Sequence, residues 1–465
     1  MTVSWWSIIP FVIMLCSIAI CPLVPALAHH WERPRNQLVV ALVLGLPVAL
    51  WFILGGDSAA VVHALIEYGQ FIMLLLALFV VSGGIFLAGD LAARPRTNTA
   101  FLAVGGVLAS FIGTTGAAML LIRPILNTNA ERKRKAHTVV FTILIVANCG
   151  GLLTPLGDPP LFLGFLRGVP FEWTLHLLPE WLFVNALLLI TYYALDRREY
   201  AREAPEDLRS DTGTQTKLGI HGKLNFVFLA AVVLAVAFVP SVDVHAIEEG
   251  HASLMSWIPL RELVMGAAAV GSLLIGDRQT RYVDNEFTWA PIQEVAALFI
   301  GIFLTMIPAL KYLAQVAPSL PLNNVTFFIF SGGLSALLDN APTYLTFFEM
   351  AAQLPGDPRV ANVPESYLVA ISLGAVFCGA VTYIGNGPNF MVKAVAEKAG
   401  VAMPSFGGYI VWTFRYLVPV LVAMVLIFIA DGFLTTITGV AFAIVLAGAN
   451  IVLAMRSPDP LRADR

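Results

Sequence analysis

Two aspartates stand where a chain this apolar has little use for an acid. Asp158 lies in "GGLLTPLGDPPLF" (Gly150 to Phe162), and Asp339 lies in "LDNAP" (Leu338 to Pro342). Hydroxyls, carboxamides and chain-breaking residues accompany both. "GTTGA" supplies Thr114, Thr115 and Gly116; Asn148, Thr154 and Gly157 flank Asp158; Asn340 and Ala341 follow Asp339; "TYIGNGPNF" supplies Thr382, Gly385, Asn386, Gly387 and Asn389. Oxygen donors of this kind suit a hard cation such as Na+. A bare carboxylate at membrane depth is expensive, so it should bind a cation or take a proton. Burial favours the protonated form and a bound cation the ionised form, so one carboxylate can exchange the two. The candidate cation and proton ligands are therefore Asp158, Asp339, Asn340, Thr114, Thr115, Thr154, Thr382, Asn386 and Asn389, with Asp158 and Asp339 as the Na+ carboxylates. A plainer role is open to several of them. Asp158 and Asp339 could each cap the helix that follows, and a threonine hydroxyl often satisfies helix backbone.

The elements that must hold these residues follow from composition. The chain has 465 residues, 58% of them hydrophobic and only 12% charged, against about a quarter charged in an ordinary globular protein. Repeated apolar runs of membrane length predict an all-α polytopic membrane protein embedded in a lipid bilayer. Spans are expected near 5–28, 37–55, 70–90, 137–165, 176–195, 224–240, 258–276, 289–313, 364–398, 404–430 and 433–455. The spans 137–165 and 364–398 read as broken helices, because Pro155, Pro159, Pro160 and Pro388 keep the helix from closing over the gap. A break leaves backbone carbonyls and N–H groups free to face a cavity. "CPLVPALAHH" ends the first run with a small-residue pattern like a cleavage site. Residues 1–7 carry no Lys or Arg, however, and the run from Trp5 to Ala28 exceeds an ordinary signal core, so it reads as a retained membrane helix.

Lysine and arginine set the sidedness. Arg33, Arg35, Arg94, Arg96, "RKRK" at 132–135, Arg197, Arg198, Arg278 and Arg281 fall on one side, taken as the cytoplasm, while the connections 56–69 and 241–257 contain neither residue. Arg167, Arg261, Lys311 and Arg359 are the exceptions. This count requires 99–127 to leave and re-enter the cytoplasm as a re-entrant hairpin with "GTTGA" at its tip. By the same count 321–352 is a hairpin entering from outside with "LDNAP" at its tip. The N-terminus is then outside and the C-terminal "RSPDPLRADR" inside, with the bacterial inner membrane as the expected location.

The polar stretch 196–223 reads as a loosely ordered cytoplasmic linker dividing the chain. The halves repeat each other. "SFIGTTGAA" from Ser110 aligns without gaps to "SALLDNAPT" from Ser335, "TPLGDPPLF" from Thr154 aligns to "TYIGNGPNF" from Thr382, and "GIFL" occurs at 84–87 and 301–304. The expected organisation is an inverted repeat: 1–195 with hairpin 99–127 and broken helix 137–165; 224–430 with hairpin 321–352 and broken helix 364–398; and an extra C-terminal helix and tail over 431–465. Such repeats place ion sites on discontinuous helices near the bilayer midplane.

Other chemistry is not written here. There is no hydrolase triad, Walker loop or dinucleotide fingerprint, so an enzyme is not expected. No basic-aromatic interleaving suggests nucleic acid. Cys16, Cys21, Cys149 and Cys378 lie in apolar runs without metal spacing. No cofactor is expected; Na+ and H+ would be transported or coupling ions. Glu294 and Glu67 read as helix-end acids, and Arg123 and Arg415 as snorkelling cations.

With those residues in place, the chain resembles the ion-transporter superfamily, and within it a citrate-transporter-like subfamily close to NhaD-type sodium:proton antiporters. The resemblance spans nearly the whole chain and rests on "SFIGTTGAAMLLIRPIL", "ANCGGLLTPLGDPPLFLGFLRG", "SALLDNAPTYLTF" and "TYIGNGPNFMVKAVAE". It implies a scaffold domain, a transport domain holding both hairpins and both breaks, a homodimer and an elevator-type movement. It also implies one ion site at the first hairpin and break, and another at the second pair. Dicarboxylate symporters of the group carry Ser-Asn-Thr at both tips, where this chain has "GTT" and "DNAPT". The expected function is secondary sodium:proton antiport, with cation-coupled citrate or organic-anion transport as the alternative.

Overall fold

Prolines open many of the helices, because the first turn is where a missing N–H removes no hydrogen bond. The computed structural model describes residues 3–31, 33–213, 215–242, 253–457 and 460. Its first part runs α1 (Ile9–Ile20), α2 (Pro25–Trp31), α3 (Pro34–Leu54), α4 (Ser58–Ser82), strand β1 (Phe86–Asp90), α5 (Pro95–Ile112) and α6 (Thr114–Thr128). Then come α7 (Ala136–Phe141), α8 (Pro159–Leu166), α9 (Leu178–Tyr200), α10 (Pro205–Gly213) and strand β2 (Thr216–His221). The remainder is α11 (Asn225–Phe238), α12 (Leu260–Ile275), α13 (Ala290–Val316), α14 (Asn324–Leu337), α15 (Asn340–Ala352), α16 (Glu365–Cys378), α17 (Gly387–Lys398), α18 (Phe406–Tyr416), α19 (Val418–Met424) and α20 (Phe433–Met455).

Among the described residues six helical stretches are long and apolar enough to cross a bilayer: Pro34–Leu54, Ser58–Ser82, Phe171–Tyr200, Ala290–Ser319, Phe406–Ile429 and Phe433–Met455. Large apolar side chains such as Leu54, Phe238, Leu274 and Phe433 stand exposed on the helices, as lipid contact requires. The protein is an integral, polytopic, helical membrane protein.

Several expected boundaries move. The connection 56–69 is mostly helix, since α4 starts at Ser58, directly after Asp57. The residues expected at the end of that span turn out of it at Gly83 and form β1. That strand pairs antiparallel with β2, from Phe86 opposite His221 to Asp90 opposite Thr216. The stretch 196–223 is therefore not a loose linker: α9 continues to Tyr200, α10 follows, and β2 uses the backbone groups of β1 as partners. The first apolar run breaks at Cys21–Leu23, where Pro22 and Pro25 interrupt one continuous helix. The two "GIFL" tetrapeptides occupy unlike places, one entering β1 and one inside α13. Residues 243–252 of the connection 241–257, and most of the C-terminal tail, lie outside the described residues.

The cations of the "RKRK" run do not share one environment. Lys133 and Arg134 are exposed and pair with Asp207 at 2.9 Å and Glu199 at 3.2 Å. Arg132 is turned inward and fully buried, 2.7 Å from the equally buried Asp196.

Two packing groups organise the rest. In one, α3 lies along α13, and α4 packs on α12 and α13. Phe71 stacks on Phe299 with ring centroids 4.8 Å apart, and Gln37 donates to Glu294 at 2.9 Å, so Glu294 ties α3 to α13. In the other, α5 and α6 form one helical hairpin, and α14 and α15 form a second. The chain between α7 and α8, and between α16 and α17, threads between these hairpins. Every residue from His137 to Asp158 is buried, so the first break is the centre of the core and not a surface loop.

Candidate functional site

Each hairpin turns immediately before the helix that carries a polar tip. Gly113 takes φ +79°, a conformation glycine adopts without strain, and starts α6 at Thr114. On the other hairpin Asp339 caps α15, its side chain accepting from the Ala341 N–H at 3.0 Å. The two breaks are built alike. Thr154 donates its hydroxyl to the Ser110 carbonyl and accepts from the Leu156 N–H at 3.2 Å. Thr382 donates to the Ala336 carbonyl at 2.5 Å and accepts from the Ile384 N–H at 3.3 Å. Ser110 and Ser335, which the sequence reading left out of the site, donate to the Gly150 and Ala375 carbonyls at 2.5 and 2.6 Å. Their signal was their place at the head of the two aligned motifs. These hydroxyls clamp hairpin to break, so Thr154 and Thr382 each commit their donor and one lone pair to backbone.

Asp158 does what an ordinary cap does not. It occupies the N-cap position of α8, yet its side chain makes no capping bond. The carboxylate turns into the protein and is 1% exposed. Thr114 donates to its Oδ1 at 3.1 Å, Asn386 to Oδ1 at 3.2 Å, and Asn340 to Oδ2 at 2.6 Å. Asn386 likewise sits at the N-cap of α17 without capping it. One carboxylate thus gathers a residue from each hairpin and each break. The hydrogen bonds of Asp158 therefore join both hairpins and the second break to the first.

A second ring of amides holds that centre. Asn386 also donates to Asn148 Oδ1 at 3.2 Å, and Asn148 donates to Asn389 Oδ1 at 2.6 Å. Asn389 in turn donates to the Gly379 and Thr382 carbonyls at 2.8 and 3.0 Å. Asn389 is therefore linked to Asp158 through two residues, Asn148 and Asn386. Among the described residues Asn340 Oδ1 is buried and has no donor, which leaves one amide oxygen uncommitted beside the carboxylate. The counterpart of Thr114 is Asn340, not Asp339: α6 starts at Thr114, α15 starts at Asn340, and both donate to Asp158. The ungapped alignment is one residue out of register here. Among the described residues no cluster of three or more His, Cys, Asp or Glu could hold a metal ion.

Close backbone approach makes the break possible. The Gly157 carbonyl accepts from the Thr114 N–H at 2.8 Å, and a methyl group at Gly157 would collide with the Gly151 backbone. Gly157→Ala is expected to cost about 1–3 kcal/mol as overpacking against backbone and to pull Thr114 off Asp158. Gly387→Ala, where a methyl meets nothing within 4 Å, is its control. Melting of both purified variants checks this: equal midpoints would show that the Gly151–Gly157 contact carries no constraint.

Thr115 faces elsewhere. With Gly116 it lines a cavity of about 310 Å³ bounded by α4, α6, α17 and residues 285–291. Arg123, Glu286 and Lys398 line the same cavity. Arg123 therefore does not simply snorkel; it pairs with Glu286 at 3.3 Å and donates to the Asp284 carbonyl at 3.1 Å. Lys398 and Arg123 beside Glu286 hold its carboxyl below the usual range. Glu67 pairs with Arg167 at 2.5 Å, and Arg167 also meets Glu349, joining α4 to the ends of α8 and α15. Arg415 lies over the Tyr416 ring, 5.3 Å from its centroid.

The comparisons with known proteins agree with a membrane carrier. The family described as "Putative citrate transport" matches residues 1–429. The chain is 24% identical over 315 residues to a 46 kDa membrane protein of Mycobacterium leprae, covering 64% of this chain and 68% of the relative. It is 24% identical over 374 residues to an uncharacterized transporter of Mycobacterium tuberculosis, covering 75% and 83%. A second uncharacterized transporter of that organism matches at 24% over 314 residues, 64% of this chain and 69% of the relative.

Proposed function

Because this chain belongs to the citrate transport family whose pattern it matches from residue 1 to 429, we propose that it is a secondary transporter in which Asp158 takes Na+ and H+ in alternation, making it a sodium:proton antiporter. One observation carries the reading: a buried carboxylate whose hydrogen-bond partners are a hydroxyl and two carboxamides, with no cation among them. Left ionised and alone in that setting it would be costly, so it must be protonated or hold a cation. Asn340 Oδ1 and the lone pairs of Thr114 supply further oxygens for Na+. Asp339, the neighbour of Asn340, adds negative charge near the centre while capping α15.

The reading includes the inverted relation of the two halves and re-entrant hairpins. It places the N-terminus outside and the C-terminus in the cytoplasm of a bacterial inner membrane. It also includes a homodimer and an elevator movement, with α5–α8 and α14–α17 as the moving part and α3, α4, α12 and α13 as the frame.

The family's description favours a second reading, cation-coupled carriage of citrate or another organic anion. Purified protein in liposomes with a trapped pH dye separates the two. Addition of Na+ or Li+, without any carboxylate, is expected to move internal pH, and K+ is not. A pH change that appears only when a carboxylate accompanies the cation would replace antiport by the second reading.

A further inference from the structure

Glu286 is presented in an unusual way. Its backbone is left-handed, with φ +46°, a strained setting for a side chain of its size. The segment carrying it is fastened to the end of α4: Asn285 donates to the Gly83 and Ile85 carbonyls at 2.9 and 2.7 Å. Arg281, buried, donates to the Ser272 carbonyl at 3.0 Å and to its hydroxyl at 2.6 Å. From this fixed base the Glu286 carboxylate reaches across the cavity to α6 and α17. Arg123 and Lys398 converge on the same oxygen, Oε2, at 3.3 and 2.9 Å.

We propose that Arg123 and Lys398 form a carboxylate-binding site at the mouth of the cavity, that Glu286 is its tethered occupant in this conformation, and that an organic carboxylate with an apolar body displaces it. Two cations meeting on one carboxylate oxygen show that the site accepts the group. The rest of the lining names the body of the ligand. Behind the charged mouth stand Phe79, Met119, Leu120, Phe287, Met391 and Val395, with Thr115 at the hairpin tip. At about 310 Å³ the cavity lies at the small end of the ~300–1,000 Å³ range for small-molecule sites. A ligand with one carboxylate and an apolar remainder matches this wall, whereas a tricarboxylate would bring more charges than two cations can meet.

Exposure makes the exchange feasible. Glu286 is 52% and Lys398 76% exposed, so their pairing is screened by water and worth little. A tethered group at the millimolar effective concentration of a short linkage can be competed off by a ligand at similar concentration. The site is distinct from Asp158, so neither proposal depends on the other.

The test uses the full chain in detergent and radiolabelled benzoate as the probe, read by equilibrium binding. Wild-type protein is expected to bind benzoate weakly. Glu286→Gln removes the internal competitor and is expected to tighten binding about 3- to 6-fold, the factor set by an exposed ion pair. Arg123→Gln with Lys398→Gln is expected to weaken it at least ~10-fold, as loss of two charge-assisted bonds requires. Unchanged affinity in Glu286→Gln, in protein that elutes and melts as wild type does, would overturn the tethered-occupant assignment. Unchanged affinity in the double variant would overturn the site. Unlabelled citrate competing better than unlabelled benzoate would overturn the apolar-body assignment.

Discussion

Asp158→Asn is expected to abolish ion-coupled exchange, by more than ~100-fold and down to empty-liposome background, while the protein still folds and inserts. The change keeps the shape of the side chain and removes its ability to be ionised. At first sight an amide here should also disrupt the site, because Thr114, Asn340 and Asn386 all donate toward position 158. The uncommitted Asn340 oxygen eases this. If the Asn340 amide turns over, its Oδ1 accepts from the new NH2 group, and the donor-donor clash is exchanged for an Asn340 NH2 that has lost its acceptor. The fold then bears the cost of one unpaired amide, about 1–3 kcal/mol, and the function bears the loss of charge. Asn340→Ala makes the complementary case: it takes away one donor and one neutral oxygen but leaves the carboxylate, and is expected to weaken the apparent Na+ affinity without removing exchange. Internal pH recorded against external Na+ in liposomes distinguishes the two. Normal pH-coupled Na+ flux in Asp158→Asn would sink the assignment of this carboxylate.

Much of this centre was legible because its residue types are improbable in apolar sequence. An acid, two asparagines and several threonines among leucines and prolines have few reasons to be there, and their order in the two halves pointed to a pair of hairpins and breaks. The merging of the parts was not legible. Nothing in local spacing says that Asn340 and Asn386 leave their own helices to meet a carboxylate 182 and 228 residues away. Nor could alignment separate Thr114 from its neighbour by one position, since a one-residue change in where a helix starts leaves no gap in the letters. The roles of Thr154 and Thr382 depended on the same missing information: a hydroxyl at a break can face a cation or a carbonyl, and the partner carbonyls lie on a distant hairpin. The short strands were hidden for a related reason. "TKLGIH" has little strand pattern of its own, and pairs because the chain after α4 offers an unpaired edge.

The inward turn of one residue in the basic run after α6 was not legible either, and it yields the largest expected loss of stability. Charge counting puts "RKRK" on the cytoplasmic side and does not tell its four cations apart. In the structure Arg132 and Asp196 are both fully buried and 2.7 Å apart, with His137 on the same carboxylate oxygen at 2.8 Å. Asn98 donates to the other oxygen at 3.1 Å, and Glu203 lies 3.8 Å from the Arg132 Nε. The cluster thereby joins the start of α5, the end of the first hairpin, the start of α7 and the end of α9. Arg132→Met removes the cation and leaves buried Asp196 with His137 and Asn98, and Glu203 with the Lys133 and Arg134 N–H groups. The expected cost is about 3–5 kcal/mol, the usual consequence of breaking one half of a buried pair. Lys133→Met, at the exposed neighbour, is expected to cost less than about 1 kcal/mol. Adding Asp196→Asn to Arg132→Met should restore part of the loss, because the unpaired charge is what makes the single change severe. The melting midpoint in detergent is therefore expected to fall by several degrees in Arg132→Met, to recover partly in the double variant and to stay near wild type in Lys133→Met. Equal midpoints for Arg132→Met and Lys133→Met would mean that the inward arginine bears no more of the fold than the outward lysine. Hydrogen exchange over α5 and α6 reports the same event locally, since the cluster closes the base of the hairpin whose tip holds Thr114 against Asp158.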